Sequence, residues 1–367
     1  MRNEIVLTCL GFFSGLQFIS PIVYTLHLSN LKYSSSAIGT IIASRTFTQV
    51  LMEIPSGMAA DYSGRGTLVI ANFARIMAHI ALFLSRNNTF STHITISFLH
   101  GVADAMVSGT REMMLYNSLK QKNDFRYYTA LSSLMWTVAS SMSSVLGMQI
   151  ASNYGILANM GLSCIPSCLS LALSLMLVNP NTNPKKEKKW SFVTEVQQFK
   201  SLAIFAIGLQ TVTFATQQFC GVFMTFNGLS MQQIGFRSAI CTLIGAVTGT
   251  FSNSYKNIDK RNMLYISVLV LSACQLSTGW LPLMLKSYAY HTAVPLLLEE
   301  IHTVVVPRNR ATVMSVISLC KKITSSLFVM GFTCIIDKFG ILSGYLFSSL
   351  CLSVGATAFK VKQCSIW

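Results

Sequence analysis

Charged side chains inside long apolar segments are the residues of this chain whose types and spacing point to chemistry. In the apolar segment after residue 35, Arg45, Gln49 and Glu53 recur at steps of four. In a helix, that spacing places the three side chains on one face. An ionisable group inside a membrane is costly, so it faces a cavity or a partner of opposite charge. This face is therefore a candidate binding surface.

Asp104, Ser108 and Arg111 mark a second polar face, because steps of four and three also bring side chains to one side of a helix. Arg45 and Asp104 each fall near the middle of their segments, so we expect them to pair with each other. Two interpretations of the pair stay open. It binds a solute in a central cavity, or it is a buried ion pair that fixes helix packing.

Composition indicates which elements position these residues. The 367 residues are 52% hydrophobic and 11% charged, with a mean hydropathy of +0.53. Soluble proteins carry about 25% charged residues. The apolar segments are long and continuous and do not alternate as the strands of a membrane barrel do. At roughly 20 residues per span, the sequence predicts an all-α integral membrane protein with about twelve transmembrane helices.

The predicted helices form two halves. Residues 1–178 hold six helices, residues 179–200 form a polar, lysine-rich cytoplasmic linker, and residues 201–367 hold six more. Helices 9 and 10 are nearly fused around Pro282, so one re-entrant segment is the alternative there. The predicted ranges are 4–26, 36–60, 67–84, 92–116, 128–151, 156–178, 201–226, 232–252, 263–281, 282–303, 311–336 and 341–359.

The net charge of +15 would indicate a nucleic-acid partner in a soluble protein. Here the basic residues fall mostly in alternate loops, which is how a multi-pass protein records its orientation. We therefore expect no nucleic-acid partner, and both termini on the cytoplasmic side of the plasma (inner) membrane. The predicted inside loops hold Arg2, Arg65, Lys120, Lys122, Arg126, Lys185, Lys186, Lys188, Lys189, Lys256, Lys260, Arg261, Arg308, Arg310, Lys360 and Lys362, and the outside loops hold Lys32, Arg86, Lys286 and Lys338.

The residue pattern does not favour enzymatic or metal chemistry. The ten cysteines are scattered through apolar segments without metal-ligand spacing. The sequence has no histidine-rich motif, no protease-type pair of aspartates and no phosphate-binding glycine loop. We expect no enzymatic activity, no disulfide, no metal and no cofactor.

A short polar hairpin joins predicted helices 2 and 3 and reads Glu53-Ile-Pro-Ser-Gly-Met-Ala-Ala-Asp-Tyr-Ser-Gly-Arg65. Small residues let helix backbones approach closely in a membrane, and a carboxylate and a guanidinium near each other reduce the cost of charge. The spacing of Gly57, Asp61, Gly64 and Arg65 resembles the signature between the second and third helices of the major facilitator superfamily.

Three further segments carry the resemblance. Ser108-Gly-Thr-Arg-Glu-Met-Met-Leu-Tyr-Asn-Ser118 and Val306-Pro-Arg-Asn-Arg-Ala-Thr-Val-Met-Ser315 are similar to a subset of that family. Asn257-Ile-Asp-Lys-Arg261 stands after helix 8 where the signature stands after helix 2, without the glycines. The resemblance thus covers most of the chain.

The resemblance implies a monomeric chain of two six-helix halves that rock about a midplane site and move a small solute by alternating access. In the family, helices 1 and 4 line the central cavity and helix 2 lies beside them. The solute, the lipid bilayer and a proton are then the partners. The expected substrate-binding residues are Arg45, Gln49, Asp104, Ser108, Arg111, Gln17 and Gln210.

Two other roles follow from the same resemblance. Asp104 and Glu299 are candidates for proton coupling. The hairpin would latch the cytoplasmic side, with Asp61 meeting the start of helix 11 near Ala311. The expected latch residues are Gly57, Asp61, Gly64, Arg65, Glu53, Glu112 and Arg75.

Several assignments keep an alternative. Arg75 neutralises Glu53 or Asp61 near the cytoplasmic end, or it contacts the solute. His79 is a proton site, or it only packs. Cationic groups in both halves favour an anionic or zwitterionic solute.

The sequence also departs from the family pattern. Basic residues of the family are replaced by Tyr62 and Gly66, and a carboxylate by Asn117. The second functional hypothesis is therefore a non-transporting membrane sensor or assembly factor on the same fold.

Overall fold

The computed structural model describes residues 3–84, 89–119, 125–179, 196–251, 260–304 and 310–364. Several predictions lie outside the described residues. These are the linker lysines, the predicted loop residues Arg2, Arg86, Lys120, Lys122 and Lys256, the segment 257–259 and the segment 306–309. The side chains of Glu299 and Ala311 lie outside them as well.

The described part of the chain is built of helices. They are α1 (Asn3–Gly15), α2 (Pro21–Asn30), α3 (Ser35–Tyr62), α4 (Gly64–Leu84), α5 (Phe90–Val107), α6 (Thr110–Ser118), α7 (Phe125–Tyr154), α8 (Ile156–Met176), α9 (Val196–Gln218), α10 (Cys220–Phe226), α11 (Met231–Phe251), α12 (Lys260–Ala273), a 3-10 turn (Cys274–Leu276), α13 (Trp280–Val304), α14 (Arg310–Phe339) and α15 (Ile341–Cys364).

Each of the twelve predicted segments coincides with one helix or with a broken one. Predicted helix 1 is α1 plus α2, helix 4 is α5 plus α6, and helix 7 is α9 plus α10. The all-α fold is therefore confirmed. Helices 9 and 10, where one re-entrant segment was the alternative, are α12 with its 3-10 turn and α13, separated by residues 277–279.

The break in predicted helix 1 has a local cause. The Ser20 hydroxyl accepts a hydrogen bond from the Val23 N–H at 3.3 Å, which caps the start of α2. Pro21 follows as the first residue of α2, where its missing N–H costs no helical hydrogen bond. A cap and a helix-starting proline are stop-and-start signals, and a continuous helix over 4–26 was wrong on this point.

Among the described residues, four helical stretches are long and apolar enough to cross a membrane by composition, and the bent pair α9–α10 adds a fifth. The four are Gly64–Leu84, Ile156–Met176, Val316–Phe339 and Ile341–Lys360. The long α3, with 28 residues, reaches about 42 Å but contains Arg45, Glu53 and Asp61. Helices that carry polar groups towards a cavity are less apolar than helices that only face lipid.

The chain divides into two compact units. Unit 1 comprises Met1–Tyr33, Thr40–Lys186 and Leu229–Ala239, and unit 2 comprises Ser34–Gly39, Glu187–Gly228 and Ile240–Trp367. In unit 1, α4 packs against α5 and α8, and α1 packs against α7. In unit 2, α9 packs against α14, and α12 packs against α13 and α15.

Unit 2 places one residue that was expected in an outside loop well inside a helix. Lys286, expected in an outside loop, lies within α13, and its Nζ is 2.6 Å from Oε1 of Gln275. The helix begins at Trp280, and Pro282 falls in its first turn, where a proline is tolerated. The prediction took Pro282 as the start of the helix, and it therefore placed the loop too late in the sequence.

Candidate functional site

Unit 1 contains a cavity of about 570 Å³, lined by α1 to α7 and by the break between α1 and α2. Its volume lies within the range of about 300–1,000 Å³ typical of small-molecule sites. The lining residues are Leu7, Ser14, Gly15, Gln17, Ile19, Ser20, Pro21, Arg45, Arg75, Asp104, Val107, Ser108, Arg111, Glu112, Leu115, Thr129, Ser132, Ser133, Trp136, Ser140 and Ser143.

Asp104 is the centre of a charged cluster in this cavity. Arg45 donates from Nε to Oδ2 of Asp104 at 2.8 Å, and its Nη2 lies 2.6 Å from the same oxygen. Gln49 Nε2 donates to the same oxygen at 3.1 Å, and Arg75 Nη2 donates to Oδ1 at 3.3 Å. The expected Arg45–Asp104 pair is thus present, and one carboxylate holds two guanidinium groups.

A close approach of α3 and α5 positions the pair. A Cβ on Gly101 would lie 2.6 Å from the carbonyl oxygen of Arg45 and 2.7 Å from Cβ of Thr48. Gly101 stands one turn before Asp104 on α5, so its missing side chain lets the backbone of α3 come close. The short Asp104 side chain then reaches the guanidinium of Arg45.

The structure pairs Arg75 with Asp104, whereas the sequence predicted Glu53 or Asp61 as its partner. Its side chain is 6% exposed and contacts Asp104, because α4 packs along α5. Arg75 Nη1 is buried and has no hydrogen-bond partner among the described residues. With Arg45, Arg111, Asp104 and Glu112, the cavity carries three positive and two negative groups, a formal charge of +1.

The other predicted substrate-binding residues are distributed as follows. Gln17 lines the cavity from the break between α1 and α2, and Ser108 lines it as the C-cap of α5. Arg111 lines it too, with Nη2 3.7 Å from Oε1 of Glu112. Gln210 lies on α9 in unit 2 and is half-buried.

One wall of the cavity escaped the sequence analysis. Helix α7 supplies Thr129, Ser132, Ser133, Trp136, Ser140 and Ser143. The signal was present, since steps of three and four place most of these residues on one face. Serine in a membrane helix also serves close packing, and that interpretation hid the polar wall. The hydroxyls of Thr129 and Ser132 are buried without a described hydrogen-bond partner.

The hairpin has a different character from the cavity. Asp61 and Arg65 are exposed, and neither forms an ion pair with a residue that the structure describes. The turn at Ser63 is held by Asn179, whose Oδ1 accepts from the Arg65 N–H at 2.8 Å and whose Nδ2 donates to Ser63 Oγ at 3.0 Å.

The glycines of the hairpin differ in their surroundings. Gly64 faces α6 so closely that a Cβ would lie 2.7 Å from Cγ of Met114. A Cβ on Gly57 would have nothing within 4 Å. Glu53 is half-buried on α3, two helical turns from Asp61. Close helix contact therefore explains Gly64 but not Gly57.

A helical chain with a charged cavity in one unit invites comparison with known membrane proteins. A model described as Major Facilitator Superfamily matches residues 5–329 of the chain. The chain belongs to the major facilitator superfamily. No curated protein sequence matches it.

Solved structures of superfamily transporters share the fold. A mutant of the nucleoside transporter NupG aligns with a TM-score of 0.81 at 15% identity, covering 98% of this chain and 99% of NupG. A POT family transporter in complex with a thioalcohol-conjugated peptide gives 0.78 at 12%, covering 100% and 96%. The D-xylose–proton symporter gives 0.76 at 13%, covering 97% and 96%.

Family membership makes this chain an integral, multi-pass membrane protein of a transporter superfamily. The three solved structures named above are transporters as well. Transport of a small solute is the general function that these findings support.

Proposed function

We propose that the chain moves a small anionic or zwitterionic solute across the plasma (inner) membrane by alternating access, with the solute bound in the cavity of unit 1. The observation that carries the proposal is the unfilled bonding capacity of Arg75. Its Nη1 is buried beside the cavity without a described partner. A buried donor left unpaired is costly, so a bound acceptor would stabilise the site.

The sign of the charge supports the solute class. Asp104 neutralises one of its two arginines, and the five charged lining residues leave a formal charge of +1. A carboxylate or phosphate group on the solute would restore neutrality, and arginine binds such groups through paired hydrogen bonds. The hydroxyls of Thr129 and Ser132 would contact the polar remainder of the solute.

Proton coupling is the finer part of the proposal. Protonation of Asp104 would remove the charge that holds Arg45 and Arg75, and would free both for the solute. We assign Asp104 this role and keep Glu299 as the second candidate. Asp104→Asn should then abolish the dependence of transport on a pH gradient, and an unchanged dependence would exclude the role.

Structural relatives set the range of solutes worth testing. Nucleosides, a peptide and D-xylose appear in the descriptions of the three transporters above. At 12–15% identity, the likeness extends to the fold and not to the solute. The screen therefore covers nucleosides, sugars, phosphates, amino acids and organic acids.

The test is a thermal-shift screen of the purified protein against these classes. A ligand at 100 times its dissociation constant adds about 2.7 kcal/mol to the stability of the folded state. The proposal expects a hit among anionic or zwitterionic compounds that is lost in Arg45→Ala. Lys338→Ala is the matched control, because it removes an exposed positive charge at the end of α14. A hit that persists in Arg45→Ala would exclude the cavity as the site.

One specific observation supports the alternative hypothesis of a sensor or assembly factor. Asp61 and Arg65, the latch residues, are exposed and without an ion pair to a described residue. Solute counterflow in proteoliposomes separates the two functions. Exchange of labelled for unlabelled solute requires transport, whereas a sensor binds the solute without exchanging it.

A further inference from the structure

Four histidines of unit 1 are buried away from solvent and have no role in the site described above. His27 lies on α2, His79 on α4, and His93 and His100 on α5. Their exposed fractions are 7%, 0%, 0% and 9%. Histidine is seldom placed in a membrane helix without a functional reason, since its polar nitrogens need partners.

Two of the four meet at the end of unit 1 where α2 leads into α3. The ring centroids of His27 and His93 are 6.0 Å apart. The Tyr24 hydroxyl lies 3.1 Å from Nδ1 of His93, and the ring of Tyr33 packs edge-on against His93 at 5.7 Å. A hydroxyl and two imidazoles are therefore contiguous here.

The other two meet beside the charged cluster. The ring centroids of His79 and His100 are 5.1 Å apart. His100 precedes Asp104 by one turn of α5, and His79 follows Arg75 by one turn of α4. Arg75 and Asp104 are themselves in contact at 3.3 Å. Each histidine of this pair thus lies one helical turn from a member of the charged cluster.

One helix face joins the two pairs. His93, Ser97, His100 and Asp104 follow each other on α5 at steps of four, three and four. From His93 to His100 the helix rises about 10.5 Å, and the 3%-exposed Ser97 lies between them. A polar side chain therefore stands at each turn of this face of α5 from His93 to Asp104.

The ring nitrogens have unused capacity. Both nitrogens of His79, Nε2 of His27, Nε2 of His93 and Nδ1 of His100 are buried without a hydrogen-bond partner among the described residues. Buried polar atoms in native proteins are nearly always paired, and those that are not call for a functional explanation. Packing alone does not account for four imidazole rings with unpaired nitrogens in one part of unit 1.

We propose that His27, His93, His100 and His79, here called the histidine row, carry protons between the α2–α3 end of unit 1 and Asp104. Chains of histidine and carboxylate groups are the usual proton relays of membrane proteins. The titratable and charged groups near the row are Tyr24 and Tyr33 at one end, and Arg45 and Arg75 at the other. Both arginines contact Asp104. This proposal rests on the transport function proposed above.

Each step conserves the proton. A neutral imidazole accepts a proton on one ring nitrogen and releases the proton of its other nitrogen to the next group. The hydroxyls of Tyr24 and Ser97 accept one proton and donate another in the same way. At the last step Asp104 accepts the proton on a carboxylate oxygen and becomes neutral. The charge of the cluster rises by one, and Arg45 and Arg75 lose their anionic partner.

Exchange of ring protons with water tests the row without any solute. The full chain, labelled with ¹⁵N-histidine in lipid nanodiscs, is transferred from H₂O to D₂O, and the imidazole N–H signals are followed by NMR. A conducting row should exchange the ring protons of His79 and His100 within seconds. Retention for hours, as for the backbone amides of buried Ala78 and Ala103 beside them, would overturn the proposal.

Two variants test whether the row joins both ends. Asp104→Asn closes the cavity end, and His93→Phe closes the other end by removing both ring nitrogens while keeping an aromatic ring. Each single variant should keep fast exchange at His79 and His100, because one route stays open. The double variant should slow that exchange at least tenfold. A slowing in either single variant, or none in the double variant, would show that the ends are not connected.

The controls separate misfolding and transport from the row. Backbone amide exchange in α8 checks the fold, and His93→Gln replaces His93→Phe if the latter does not fold. His291 in unit 2, whose Nδ1 lies 2.9 Å from the Ser287 carbonyl oxygen, should behave identically in every variant. Fast exchange in a protein that fails solute counterflow would sink transport alone, and counterflow with protected rings would sink the histidine row alone.

Discussion

Unit 1 contains two places where acidic and basic side chains were expected to act together, and they differ in depth. At the cavity, Asp104 is 23% exposed and is held by Arg45 and Arg75. At the hairpin, Asp61 and Arg65 are exposed, and the described contacts there are made by backbone and amide groups. Pairing is required where water cannot solvate a charge, and is optional where it can.

The comparison teaches what a sequence motif of charges means. At the cavity, an unpaired charge costs several kcal/mol, so partners lie within hydrogen-bonding distance. At the hairpin, solvation replaces the partner, and the two charges are available to other groups. Mutations should therefore have large effects on stability at the first place and small ones at the second.

Removal of the central carboxylate should give the largest effect. Asp104→Asn leaves Arg45 and Arg75 without an anion in a mostly buried site. Breaking one partner of a buried ion pair costs about 3–5 kcal/mol, and we expect the lower end because Asp104 is partly exposed. Chemical unfolding in detergent, followed by tryptophan fluorescence, measures the loss. A cost below about 1 kcal/mol, typical of exposed pairs, would contradict the cluster.

A methyl group at the α3–α5 contact should give the next largest effect. Gly101→Ala places a Cβ against the carbonyl oxygen of Arg45, and overpacking costs about 1–3 kcal/mol. Gly57→Ala on α3 is the matched control, because its Cβ would meet nothing within 4 Å. In a helix that change stabilises by about 0.5–1 kcal/mol. Equal effects of the two substitutions would show that the close approach is not strained.

Substitution of arginine by lysine should separate charge from geometry. Arg45 donates from Nε to one oxygen of Asp104 and brings Nη2 close to the same oxygen, and a lysine cannot place two nitrogens in this way. Arg45→Lys should cost about 1 kcal/mol, the net value of one hydrogen bond. Arg65→Lys makes the same substitution at the exposed hairpin. Its effect on the free energy of unfolding should stay within about 0.5 kcal/mol. Indistinguishable unfolding midpoints for the two variants would remove the geometric part of the comparison.

Neutralisation of the hairpin carboxylate should give the smallest change in stability. Asp61→Asn removes an exposed charge without an ion pair to a described residue, so its effect should lie within about 0.5 kcal/mol. Transport is the sharper readout, since a latch acts on the balance between states. Solute counterflow slowed by Asp61→Asn, with unfolding unchanged, supports the latch. Unchanged counterflow would leave the hairpin as a simple turn.

The sequence predicted the helical segments well because apolar length is a local property. The range 36–60 falls within α3, and the range 156–178 coincides closely with α8. It failed at Pro21 and Gly109, where short caps divide a helix. Gly109 adopts φ of +74°, a conformation that glycine reaches without strain. Such breaks depend on one or two residues inside an otherwise apolar run.

The candidate site was predicted in part. Helical spacing placed Arg45 and Gln49 on one face of α3, and both side chains contact Asp104 of α5. Arg75 was expected near the hairpin, because depth along a helix was the only guide to its partner. Its contact with Asp104 follows from the packing of α4 on α5, which no spacing within α4 contains.

The amino-acid sequence by itself determined the membrane class, the twelve apolar segments and the faces on which polar residues gather. These follow from composition and from a 3.6-residue period, and both act within one segment. Only the tertiary structure decided that Arg75 joins Asp104, that α7 forms a polar cavity wall, and that His79 lies against His100. Each of these depends on which helices are neighbours and how each is rotated about its axis, and contacts between distant segments set both.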